Sequence, residues 1–149
     1  MTRKSKILLA LAALWGIFIF CNSLQNGETS TQLSDAVVFR LPRWLDWVDV
    51  HTLTVIVRKS AHFCEYAVLS LLSSFVFHCS GKFRWSNIGN ILFPCLLWAV
   101  ADEFLQTFVE GRTGLVGDVV IDFAGVLTGC LAALLVVWVQ KRGKHTRPV

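Results

Sequence analysis

Apolar residues in this chain fall into four long blocks separated by polar stretches. The first runs from Ile7 to Phe20, behind Arg3, Lys4 and Lys6. The second opens at Arg58 and Lys59 and reaches Phe77. The third runs from Trp85 to Phe108, and the fourth from Asp118 to Trp138. Blocks of this length approach the roughly 20 residues that a helix needs to cross hydrocarbon, and they lack the alternation of strands. The pattern predicts an all-α chain, a four-span transmembrane helical bundle. It reads as one membrane domain over 1–149 with spans at about 5–24, 58–78, 86–108 and 118–139. Pro94 should bend or loosen the third span.

Between the first two blocks lies the longest polar segment, Asn26 to Val50. Gly27, Glu28, Thr29 and Ser30 read as a turn. Leu33, Val37, Val38 and Leu41 then recur at helical spacing, and Trp44 and Trp47 follow beside Pro42 and Arg43. Two readings fit: an amphipathic segment lying along the membrane surface, or a loop packed on the bundle top. Trp44, Trp47, Trp85 and Trp138 read as interface anchors. The N-terminus resembles a signal peptide, but no small-x-small cleavage site follows Cys21, so the first block reads as a retained helix.

Composition agrees with spans: 54% of residues are hydrophobic and only 16% charged. The net charge of +4 comes largely from the two ends and the Gly81–Arg84 loop, which argues against a nucleic-acid footprint. By the positive-inside rule those three regions are cytoplasmic, which places both termini inside. Arg40, Arg43, Arg58 and Lys59 fall in the predicted outer loop and weaken the asymmetry. The five cysteines form no CxxC pair, and Phe20 stands where a lipoprotein signal needs a small residue. They read as buried free thiols rather than disulfides or a zinc site.

Candidate chemistry gathers around the turn between the third and fourth spans. Asp102, Glu103 and Gln106 end the third span, Arg112 sits in the turn, and Asp118 and Asp122 open the fourth. Ionisable residues in hydrocarbon are expensive and rare, so this gathering points to function. In the second span His62, Glu65 and Tyr66 share one helix face. Asn22, Ser23 and Gln25 leave the first span. With the predicted topology all four spans bring polar groups to one shallow, outward-facing cavity. Asp118, Asp122, Gly125 and Gly129 are spaced by four, three and four, one stripe that is acidic first and small later. Gly125-x-x-x-Gly129 would let another helix approach closely.

The ordered motifs Arg58-Lys59-x-Ala61-His62-Phe63-x-Glu65-Tyr66, Asp102-Glu103-x-x-Gln106-x-Phe108, Gly111-Arg112 and Asp118-x-x-x-Asp122-x-x-Gly125-x-x-x-Gly129 resemble the VanZ-like family. Asn22-Ser23-Leu24-Gln25 partly matches a Ser-Ser-Gln segment often found there after the first span. The resemblance implies a small all-helical protein of the bacterial cytoplasmic membrane. For the family's namesake it implies reduced susceptibility to the glycopeptide teicoplanin. It supplies no agreed biochemical activity.

Three functions stay open on the residues. In the first, an enzyme acts on an envelope lipid or lipid-linked sugar: His62, Glu65, Asp102 and Glu103 do the acid–base work, while Lys59, Tyr66, Gln106 and Arg112 hold the substrate. Asp118 and Asp122, with Asp102, are candidate ligands for a divalent cation. In the second, a non-catalytic protein binds a membrane lipid headgroup or a glycopeptide. In the third, an oligomer passes ions or small solutes. Against all three stands plain pairing: Arg112 with Asp118 or Glu103, Lys59 with a neighbouring acid, and His62 with Glu65.

Overall fold

A computed structural model describes residues 1–40, 42 and 47–145, and the expectation for Trp44 falls outside them. All regular structure among these residues is helical. The elements are α1 (Arg3–Ser23), α2 (Gly27–Val38), α3 (Val50–Cys79), α4 (Gly89–Gln106) and α5 (Val116–His145), with a single 3-10 turn at Trp85–Asn87. Four helical stretches are long and apolar enough to cross a membrane: Arg3–Ser23, Val50–Cys79, Trp85–Gln106 and Val116–Gly143. Pro94 stays inside α4 without ending it.

The four long helices wear their apolar side chains outward. Leu14, Phe18, Phe93, Leu97, Leu127, Leu131 and Leu135 are all exposed. The interior is small and mixed. Ile19, Tyr66, Leu69, Cys95, Ala99 and Val126 form its buried cluster, with Trp15, Trp98 and Phe123 packed around it. Water would penalise such an outer surface at roughly 25 cal/mol per Å², whereas lipid does not. All five cysteines are free thiols, but Cys21 and Cys64 are exposed on helix surfaces rather than buried as expected.

Two element boundaries differ from the sequence expectation. α3 begins at Val50, well before Arg58, because Asp49 caps it by accepting from the Thr52 N–H at 3.1 Å. Arg58 and Lys59 therefore lie on a helix, not in a loop. The segment expected to turn at Gly27–Ser30 is also helical. The Asn26 side chain accepts from the Thr29 N–H at 2.8 Å, and Glu28 occupies the first turn.

α2 packs on the first half of α3. Its Ser34 and Val38 are buried, and Asp35 accepts from the Thr54 hydroxyl. Its start rests on the α4–α5 turn, where the Gly27 N–H donates to the Glu110 carbonyl at 3.0 Å. Gly111 has φ of 74°, and a Cβ on Gly27 would fall 2.1 Å from the Gly111 oxygen. Both positions need glycine for that approach.

α5 lies closest to α3. A Cβ on Gly125 would sit 2.2 Å from the Phe63 carbonyl oxygen, and one on Gly129 would sit 2.0 Å from that of Ala67. The two backbones touch there because no side chain intervenes. The basic residues gather at the opposite end from α2. Thr2 donates to the Cys79 carbonyl at 3.2 Å, which ties the start of α1 to the end of α3. Arg84 and Lys141 line one groove there.

Candidate functional site

The ends of α1 and α4, the start of α5 and the middle of α3 meet beneath α2. Ser23, the last residue of α1, is fully buried and donates to Asp102 Oδ2 at 2.8 Å. Asn22 donates to Glu65 Oε1 at 2.8 Å, and the Trp15 indole donates to the Glu65 carbonyl at 2.9 Å. α1 thus fixes one carboxylate on α3 and one on α4.

In α4 the helical spacing puts Asp102, Glu103 and Gln106 on one inward face, and all three are buried. Glu103 Oε2 accepts the Leu115 N–H at 3.0 Å, so this side chain clasps the turn that leads into α5. Gln106 Nε2 lies 3.3 Å from Glu103 Oε1 and 3.4 Å from both Asp102 Oδ2 and Ser23 Oγ. At the rim Lys59 forms an ion pair with Asp118, which joins α3 to α5.

A second group of polar atoms has no hydrogen-bond partner. His62 Nδ1 is 3.9 Å from Glu65 Oε2 and 4.0 Å from Asp102 Oδ2, within ion-pair range but outside hydrogen-bond range. Asp122 is 1% exposed, and neither of its oxygens is bonded. Asp102 Oδ1 and Arg112 Nε make no hydrogen bond, and the Tyr66 hydroxyl lies near the Asp102 carboxylate without a well-formed one. Arg112 makes one long hydrogen bond, from Nη2 to the Asn22 carbonyl at 3.4 Å, and no carboxylate lies within ion-pair distance of it among the described residues. Burial, and then the nearby Arg58, lower its pKa from the ordinary arginine value. Arginine keeps its proton even so, and this cation is held partly desolvated, with Asp102, Glu103 and Glu65 near but none at ion-pair distance.

Two cavities open here. One of about 50 Å³ is lined by Lys59, His62, Glu103, Gln106, Arg112, Asp118 and Asp122. Another of about 140 Å³ lies between α2 and α3, lined by Asn22, Ser34, Glu65, His62, Arg58 and Arg112. Arg58, His62 and Arg112 line both.

The residues singled out from the sequence therefore converge, but they divide. Glu65, Glu103 and Asp118 are engaged in joints between elements. His62, Asp122, Arg112 and half of Asp102 are not. Of the expected pairings, Lys59 finds Asp118, whereas Arg112 pairs with neither Asp118 nor Glu103. Trp15, Ser23 and Arg58 contribute as well. Ser23 stands among the polar residues expected to leave the first span toward the cavity. Arg58, beside Lys59 in the motif, had no role assigned to it, and nothing local marks the Trp15 indole as a donor to α3.

The fold and this cluster define a class: a multi-pass helical membrane protein with a buried cluster of polar side chains at one end of its bundle. The chain belongs to the VanZ/LLP1 family, whose model matches residues 8–137, most of its length. No curated protein and no solved structure matches it.

Proposed function

We propose that this VanZ-family protein binds the phosphate-bearing headgroup of an envelope lipid from the outer face of the bacterial cytoplasmic membrane. The observation that carries this reading is Arg112. Its guanidinium lines both cavities, is partly buried, lacks a carboxylate partner and stands beside Arg58. A planar donor fork beside a second cation, engaged by one long hydrogen bond only, suits a phosphate, which can accept two parallel N–H bonds. The exposed apolar flanks of the bundle would let acyl chains stay in the membrane while the headgroup enters.

The basic end supports the outward orientation. Arg3, Lys4, Lys6, Lys82, Arg84, Lys141 and Arg142 belong to the end opposite the site, and positive ends remain cytoplasmic. A reporter fused after Val149 should be active only in the cytoplasm. An extracytoplasmic signal would put the site on the inner face. In this reading α2 covers the outer end of the site, and Lys59, Tyr66 and Gln106 support the headgroup.

Headgroup capture also links the site to glycopeptides, because teicoplanin carries an acyl chain and meets its target at that leaflet. The deciding experiment is titration of purified protein in nanodiscs with a short-chain phosphatidic acid. Wild type should bind saturably. Arg112→Gln should bind at least about tenfold more weakly, because glutamine cannot offer phosphate a charged, two-pronged donor. Equal binding by the two proteins removes the basis of the reading. Expression in a Gram-positive host would then show whether wild type, and not Arg112→Gln at matched abundance, lowers teicoplanin susceptibility.

One observation favours transport as a second reading. Tyr66, Ser70 and Ser74 recur every fourth residue on α3 and are fully buried, Tyr66 near the Asp102 carboxylate and Ser74 near the Cys130 thiol. Such a stripe suits a proton path. Proton flux in liposomes that disappears in Ser70→Ala would favour it over binding, and absence of flux would remove it.

A further inference from the structure

We infer that His62, Asp102 and Asp122 form a binding site for one divalent transition-metal cation, of the zinc or manganese type. One ligand atom from each residue lies within 4.8 Å of the others. A single ion about 2.0–2.2 Å from each donor needs donors about 3.5 Å apart, so the three groups would draw in by up to about 1.3 Å through side-chain rotation.

Three observations point to a ligand here rather than to a chance gathering of acids. First, Asp122 is almost completely buried with both carboxylate oxygens unbonded, and it lines the smaller cavity. Second, Asp102 is fully buried and held by one oxygen only. Oδ2 accepts from Ser23, with Gln106 close by, while Oδ1 makes no well-formed hydrogen bond and the Tyr66 hydroxyl lies near the carboxylate. Hydrogen bonds that fix one oxygen and leave the other free are the usual way a protein aims a metal-binding carboxylate. Third, His62 Nδ1 is buried and unbonded, 4.0 Å from Asp102 Oδ2 and 3.9 Å from Glu65 Oε2.

Charge leads to the same ion. Lys59 is engaged with Asp118, and Arg112 has no carboxylate within ion-pair distance, so no side-chain cation neutralises Asp102 and Asp122 directly. Two carboxylates in an apolar bundle are strongly disfavoured as a bare pair, and a divalent cation cancels both charges. The donor set selects the type. One imidazole and two carboxylates suit zinc or manganese, whereas magnesium and calcium prefer oxygen alone and copper(I) prefers thiolate. Three protein ligands leave a position open toward the cavity of about 50 Å³, which has room for water or one oxygen of a bound anion.

This assignment differs from the sequence expectation, which grouped Asp118 with Asp122. Asp118 lies one turn outward, paired with Lys59. The site does not depend on lipid binding, and the two proposals are read by different assays.

The test is calorimetric titration of chelator-stripped protein in detergent with Zn²⁺ and, separately, Mn²⁺. Wild type should take one equivalent of at least one of them. His62→Ala and Asp122→Asn should weaken that binding by about 100-fold or more, while Asp118→Asn should leave it little changed. Asp122→Asn keeps the side chain's shape and removes a buried charge, so its metal-free melting temperature should equal or exceed that of wild type. Asp122→His, which retains a donor atom, should still bind Co²⁺ but with shifted visible absorption bands. The inference is overturned if wild type binds no stoichiometric metal, if Asp118→Asn loses as much affinity as Asp122→Asn, or if Asp122→His leaves the Co²⁺ bands unmoved.

Discussion

Replacing Gly129 with alanine tests the helix crossing that positions the site. The new Cβ would lie 2.0 Å from the Ala67 carbonyl oxygen, where 3.0 Å is the least that real Cβ atoms show. The obstacle is helix backbone, which has no rotamer to turn aside. α5 must therefore move off α3 by about 1 Å, and a gap of that size forfeits a quarter to a half of the dispersion attraction along the seam. With overpacking strain of about 1–3 kcal/mol and a dispersion loss of about 1 kcal/mol, against a helix-propensity gain of about 1 kcal/mol, the net loss should be about 1–3 kcal/mol. For a chain of this size that lowers the melting temperature by roughly 2–12 °C, readable by circular dichroism in detergent. Gly125→Ala should behave alike, since its Cβ would meet the Phe63 carbonyl at 2.2 Å. The double variant should lose less than both singles together, because the first substitution already parts the helices. Gly117→Ala, in the same helix with nothing within 4 Å, is the control and should be neutral or slightly stabilising. If Gly129→Ala melts within 2 °C of wild type while Gly117→Ala does the same, α3 and α5 do not touch at Ala67 and the packing argument fails.

Glu103→Ala should free the α4–α5 turn by removing the acceptor of the Leu115 N–H, and limited proteolysis should cut between 107 and 115; Glu103→Gln, which keeps an acceptor, should resist. Ser23→Ala removes the donor 2.8 Å from a fully buried Asp102 oxygen and should lower stability by about 1–3 kcal/mol, whereas an unchanged melting curve would mean that Gln106 alone suffices. Lys59 and Asp118 are 34% and 22% exposed, so a double-mutant cycle with Lys59→Met and Asp118→Asn should give a coupling of only about 0.5–1 kcal/mol, and zero coupling would show the pair to be incidental.

The helices and most of the site were legible because hydrocarbon imposes simple rules. A long apolar block has few alternatives to a helix, and an ionisable residue within one stands out. The four-three-four spacing of Asp118, Asp122, Gly125 and Gly129 named a face correctly at three positions. Asp122, Gly125 and Gly129 are buried, while Asp118 stays at the rim. Two helix starts were misread because polar residues around Gly27–Ser30 and His51–Thr54 look like loop. There the single cap, Asn26 or Asp49, outweighs composition. Partner choice was the least legible. Whether Asp118 meets Lys59 or Arg112 depends on the register between α3 and α5, which the backbone approach at Gly125 and Gly129 sets.

The division of the polar groups argues that the cluster is more than glue. Glu65 ties α3 to α1 through Asn22, Glu103 ties α4 to the turn through Leu115, and Asp118 ties α5 to α3 through Lys59. Each of these acids closes a joint and is satisfied within the protein. Asp122, His62 Nδ1, Asp102 Oδ1 and Arg112 Nε close none. A bundle shaped by stability alone gains nothing from them, since apolar residues of similar volume at buried charged positions are often neutral or stabilising. In the proposed readings a phosphate or a cation from outside the chain completes them. The engaged groups supply the rigidity that holds the unengaged ones open, as a preorganised site requires.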